Sequence, residues 1–218
     1  MGRQRPLLAA AMAIAGGVGF YRWLVRPWMN TWGASAEEAA AVLPGDDLVE
    51  PGAPRTTRAI TIDAPVGAVW PWLAQIGEDK GGFYSYDVLE RLVGSRIRNA
   101  DVVHPEWQDL HVGDTVWLAR RYGPGASQEV VAMEPPSHVV LMSPADAERV
   151  RRGEKAFGSW AFYLRPHGER TRLIARGTGG SAGIISYDVA HFVMERGMLR
   201  GIRERAGHPL GPRADAHP

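Results

Sequence analysis

The sequence predicts an α+β domain, a curved antiparallel sheet wrapped around a long C-terminal helix, with an apolar transmembrane helix ahead of it. Three observations carry this reading. Six strand-like segments mostly follow one another across turns, as in an antiparallel sheet. Two short helical segments stand together between the first strand and the others. The chain then closes on a long helical period, Ser186–Ala206. There Tyr187, His191, Met194, Met198 and Ile202 share one stripe, and Arg196, Arg200 and Arg203 fall on another face.

Composition bounds the classes. A length of 218 residues suits one domain with extensions. Hydrophobic residues at 45% and charged residues at 22% support a packed core rather than disorder. A net charge of +1 gives no sign of a nucleic-acid footprint, so no nucleic-acid partner is expected. The absence of cysteine removes disulfides, thiolate metal sites and cysteine nucleophiles. No internal repeat is visible.

Residues 1–32 read as a membrane anchor with its interfacial segment. Arg3 and Arg5 precede an uncharged run from Pro6 to Tyr21, and residues 6–25 reach the roughly 20 residues that cross a bilayer. Arg22 lies near the end, where its side chain can reach the headgroups. Trp23, Trp28 and Trp32 follow like an interfacial aromatic belt. A cleaved signal peptide is the rival, with an Ala13-x-Ala15 site. Arginines flank both ends of the span, so the side of the membrane stays open.

Residues 33–55 combine a short Ala/Glu helix with Pro, Gly and Asp and read as a linker, so a chain starting near Ala36 is expected to fold without detergent. The domain follows at 56–207. "TTRAITID" alternates into a strand. Pro65 opens the helix "APVGAVWPWLAQIG", which Pro71 should kink or break, with Gly67 lessening the ring clash. "SYDVLERLVG" is the second short helix, with Ser85 as N-cap and Asp87 in its first turn. The strands "DTVWLAR", "QEVVAME", "SHVVLMS", "GSWAFYLRP" and "TRLIARGT" come next, then the long helix. Residues 208–218 read as a disordered tail.

Four stretches, "RAITIDAPVGAVWPWLAQIG", "GGFYSYDVLERLVG", "HPEWQDLHVGD" and "AHFVMERGMLRGI", together resemble membrane-anchored bacterial members of the SRPBCC superfamily. That superfamily includes START lipid-transfer domains, pollen-allergen-like proteins and polyketide cyclases. The resemblance covers about 56–207. It implies a helix-grip fold whose sheet and last helix enclose an apolar cavity, closed at one end by the two short helices. Because one scaffold hosts many functions, it does not by itself specify an activity.

On that reading "KGGFYSYD" joins the short helices at the cavity mouth. Phe83, Tyr84 and Tyr86 could line the entrance; alternatively the rings seal the core and Asp87 only stabilises a helix start. "GGSAG" matches the nucleophile-elbow pattern around Ser181, but the elbow needs a parallel sheet and a histidine in reach. "HPEWQDLH" gathers His104, Glu106, Asp109 and His111 without a defined ligand face, around a buried Trp107. His191 and Glu195 stand one helical turn apart. His191 reads as a satisfied core histidine, a ligand contact or a base, and Glu195 as a partner of surface arginines. Met194 and Met198 suit core or an adaptable ligand wall.

The candidate ligand wall is therefore Phe83, Tyr84, Tyr86, Trp107, His191, Met194 and Met198, with no catalytic residue, metal ligand or cofactor assigned. The expected function is membrane-anchored binding of a small hydrophobic molecule or lipid. One alternative is a cyclase, aromatase or dehydratase of the polyketide type, with His191, Tyr84 or Glu106 steering proton transfer. Another is an interaction module with a vestigial cavity. A void with two convergent titratable groups would favour the enzyme, and a filled interior the interaction module.

Overall fold

The computed structural model describes Met12 and residues 15–85, 98–179 and 185–207. Helical backbone over 15–20 passes through a π-helical turn, Tyr21–Val25, into α1 (Arg26–Asn30). Then come α2 (Ala36–Ala40), β1 (Arg55–Ile62), α3 (Val66–Ala74), β2 (Thr115–Trp117), β3 (Ser127–Glu134) and β4 (His138–Met142). The chain continues through α4 (Pro144–Arg151), β5 (Gly158–His167), β6 (Arg170–Gly179) and α5 (Ile185–Gly207). The strands form one antiparallel sheet in the order β1-β6-β5-β4-β3-β2. The α+β class and the long closing helix match the expectation. The second short helix, expected at 85–94, lies almost wholly outside the described residues, as do Tyr86, Asp87 and Ser181.

Side-chain alternation sorts the strands into two faces. Ile60, Ile62, Val139, Leu141, Phe162, Leu164, Leu173 and Ala175 point inward to meet Val69, Trp72 and Leu73 of α3 and Met198, Leu199 and Ile202 of α5. α3 runs on through Pro71 instead of ending there. α4 was not expected from the sequence, although Ser143 caps it through the Asp146 amide and Pro144 takes the first helical position.

The opposite face of the sheet is buried as well, which corrects the linker reading. Ala59, Val140, Met142, Ala161, Tyr163 and Ile174 pack against Leu43 and Val49. α2 carries a capping box between Ser35 and Glu38, and the Glu38 carboxylate also accepts from Arg172 at 2.7 Å. The Tyr163 hydroxyl donates to the Pro44 carbonyl at 2.6 Å. Residues 33–55 thus cover a sheet face that alternation would otherwise leave apolar and wet.

The chain ahead of Ala36 also joins the domain. Met29 is buried, and Trp28 and Trp32 both meet the Phe192 ring edge-on. Trp32 further lies under the Arg196 and Arg200 guanidiniums. Arg26 Nε donates to Asp188 Oδ2 at 2.8 Å. Two of the three tryptophans expected in an interfacial belt therefore touch α5, while Trp23 stays exposed. Among the described residues no helix is long and apolar enough to cross a membrane; residues 1–11, 13 and 14 of the apolar stretch lie outside them.

Candidate functional site

A cavity of about 510 Å³ lies between α5 and the end of the sheet where β1 and β5 begin and β6 ends. This volume is within the range of small-molecule sites. Exposed Tyr122 and Tyr187 mark its outer end, and buried Arg58, Glu195 and Met198 its deep end. Phe83, Leu118, Met194 and Trp160 supply much of the apolar wall.

One side of this wall is polar and built from strand parity. Arg58 falls in phase with Ile60 and Ile62, so β1 aims it inward rather than at solvent. Across from it, α5 places His191 and Glu195 one turn apart. Arg58 Nη1 donates to Glu195 Oε2 at 2.6 Å and contacts His191 Nδ1 at 3.2 Å, and Arg58 Nε donates to the Met29 carbonyl at 2.7 Å. The indole N–H of Trp160 donates to Glu195 Oε1 at 2.7 Å. Phe192 covers the Arg58 guanidinium at 5.3 Å, and Tyr187 stacks on the His191 ring at 5.7 Å.

The electrostatics follow from these contacts. Burial alone would raise the Glu195 pKa. The charge His191 carries when protonated and the Arg58 charge, with hydrogen bonds from Arg58 and Trp160, outweigh it and hold the carboxyl below its ordinary 4.5. Burial raises the Tyr187 phenol, and the Glu195 and Asp188 charges raise it further. At neutral pH the wall therefore holds a carboxylate, a guanidinium and a neutral phenol. Glu195 departs from its expected place on a solvated face. Its side chain is 1% exposed, and Arg58 supplies the counter-charge that makes burial tolerable.

Of the sequence-predicted wall, Phe83, His191, Met194 and Met198 come together at the cavity. Tyr84 does not line it. Its ring packs edge-on against Trp72 in the core and lies under Arg205. The turn that directs it there has φ 55°, an uncommon conformation for a residue with a side chain. The Asn99 side chain accepts the Tyr84 N–H at 2.5 Å. Gly201 lets α5 press against this turn: a Cβ there would sit 2.0 Å from the Tyr84 carbonyl oxygen. Trp107 is also outside the lining, half-buried with its ring 4.1 Å from that of His104. The "HPEWQDLH" side chains form two separate pairs, His104 with Glu106 and His111 with Asp109. Among the described residues no three His, Asp or Glu side chains are placed to share a metal ion.

Arg58 and Trp160 carry no role in the sequence-based expectation, and Tyr187 stands there on the stripe of the last helix but not in the ligand wall. Arg58 had a usable signal, a charge at an inward position of an alternating strand. Trp160 had none, since an aromatic ring in a strand is ordinary core.

No family model matches the chain, and no curated protein matches it. Among solved structures it is similar to protein Ms6760 from Mycobacterium smegmatis, at 13% identity over 73% of this chain and 92% of that one, with a TM-score of 0.41. Protein NE0264 from Nitrosomonas europaea is 13% identical over 75% of this chain and 97% of its own, with a TM-score of 0.42. CalU16 from Micromonospora echinospora is 17% identical over 71% of this chain and 84% of its own, with a TM-score of 0.35. Scores this low assign neither a fold nor a function.

Proposed function

We propose that the chain is a membrane-anchored SRPBCC-type protein that binds a small hydrophobic molecule or lipid in the cavity between its sheet and α5. The observation that carries this reading is the cavity itself. It is large enough for a ligand, walled mostly by apolar groups, and its buried charges are already paired, Arg58 with Glu195 and Asp188 with Arg26. The anchor is supported by the run at residues 6–25 and by the exposed side chains of Val18, Phe20, Trp23 and Leu24 on the described part of that helix. The Arg26–Asp188 contact ties this helix to a residue that lines the cavity.

Native mass spectrometry of the full chain extracted in detergent tests the reading. The expected result is a co-purifying small molecule, released on unfolding. Protein that is empty and takes up no apolar probe would sink the idea and favour an interaction module.

A polyketide cyclase-type enzyme is the second reading, because His191 and Glu195 converge on the cavity. Their contacts weigh against acid–base work by the pair. Glu195 is held ionised by two donors, and the Nδ1 lone pair of neutral His191 is engaged by Arg58. What remains to His191 is a donated Nε2–H, able to polarise a carbonyl.

A further inference from the structure

The hydrogen-bond directions on the polar wall select the chemistry of the ligand. Arginine has only donors, so the contact between Arg58 Nη1 and His191 Nδ1 at 3.2 Å requires Nδ1 to accept. Neutral His191 then carries its proton on Nε2. The nearest carboxylate oxygen, Glu195 Oε1, is 4.0 Å from Nε2, too far for a hydrogen bond, and it already accepts from Trp160. Among the described residues Nε2 has no acceptor, although His191 lines the cavity. Arg58 Nη2 likewise has no acceptor among them, while the other three N–H groups of Arg58 are engaged. The wall is thus a donor surface.

Its charge is spent. With His191 neutral, Arg58 is the one cation among the lining residues and is paired with Glu195; the other two charged ones, Asp146 and Asp188, are carboxylates, and Asp188 is paired with Arg26. An anionic ligand would meet no unpaired cation there. A cationic head would face N–H donors in the deep end.

We propose that the ligand is uncharged and apolar and carries one accepting oxygen, a ketone, quinone or ester carbonyl, that takes the Nε2–H of His191. This rests on the cavity being a ligand site and narrows what it accepts.

The test uses the full chain in lipid nanodiscs, with protein-free nanodiscs subtracted, and three probes of similar size. They are the neutral naphthyl ketone dye Prodan, whose emission moves red when its carbonyl accepts a hydrogen bond, the hydrocarbon anthracene, and the anion anilinonaphthalene sulfonate. Wild type should bind the ketone best, with red-shifted emission. His191→Phe should keep the stack on Tyr187, and His191→Met should keep a weak sulfur acceptor for Arg58 with no donor, so one variant survives if the other misfolds. Both should bind the ketone about tenfold more weakly with emission moved to the blue, the worth of one hydrogen bond. Anthracene affinity should stay as in wild type. Unchanged ketone emission in either folded variant overturns the assignment of the donor, and tighter binding of the sulfonate than of the ketone overturns the charge selection. Binding of none of the three overturns the ligand-site reading, and this inference with it.

Discussion

Two arginines are buried on opposite faces of the same sheet, and they are used differently. Arg176 points to the outer face, where all five of its N–H groups find acceptors: Thr57 Oγ1, the Ala41, Glu38 and Ala39 carbonyls, and Asp46 Oδ2 at 2.5 Å. Arg58 points to the inner face, engages three and leaves Nη2 without an acceptor among the described residues. Both side chains are about 1% exposed, so burial does not distinguish them. Saturation does. A guanidinium with every donor occupied fastens chain to chain, here residues 38–46 to the sheet. One with donors to spare beside a cavity is suited to a ligand. Hydrogen-bond completeness therefore separates scaffold from site where charge and burial cannot.

Four measurements would break or sharpen that contrast. Arg176→Met should have the largest effect, lowering unfolding free energy in denaturant by about 3–5 kcal/mol, because Asp46 is left buried without its main partner. Ketone affinity of the folded fraction should not change. Lost binding with stability intact would reverse the roles of the two arginines.

Removing residues 1–35 should cost about 3 kcal/mol, against little for removing residues 1–21, because the longer deletion takes away buried Met29 and the carbonyl that receives Arg58 Nε. The earlier expectation that a chain starting near Ala36 folds well is thereby revised, since Trp32 and Arg26 belong to the packed unit. Equal melting temperatures for the two deletions would show that the segment only rests on the domain.

Glu195→Gln should cost about 1–3 kcal/mol and leave Arg58 without its counter-charge, so the cavity should begin to prefer the anionic probe. The same change tests the acid limb. The Glu195 pKa is lower in the fold than its ordinary 4.5, so its stabilisation is full above that value and is lost as pH falls through the lower folded value. Stability measured against pH should therefore fall less steeply below 4.5 in the variant. Parallel acid limbs would place the acid sensitivity elsewhere.

Tyr84→Phe should have the smallest effect, leaving ketone affinity within about twofold of wild type, since the ring packs on Trp72 and does not line the cavity. A tenfold loss would move Tyr84 back to the entrance, where the sequence alone had put it.

Local pattern was enough for the elements and their inner faces. Period two in "TTRAITID" and "TRLIARGT", turn residues between strands and the helical stripe through His191, Met194 and Met198 are short-range signals, and a side chain's direction relative to its own element follows from them. Half of the polar wall was legible in that way: His191 from its stripe, and Arg58, in hindsight, from its parity with Ile60 and Ile62. Only the tertiary structure decided the rest. Glu195 is buried because an arginine 137 residues away lies opposite it, and no periodicity reports a counter-charge at that separation. Tyr84 leaves the cavity because a left-handed turn, pressed by α5 at Gly201, points it at Trp72. Residues 33–55 read as a linker because proline, glycine and aspartate mark loops in sequence. They are packed because the sheet's second face is also apolar and must be covered, a requirement set by the assembled sheet and by no residue in the segment itself.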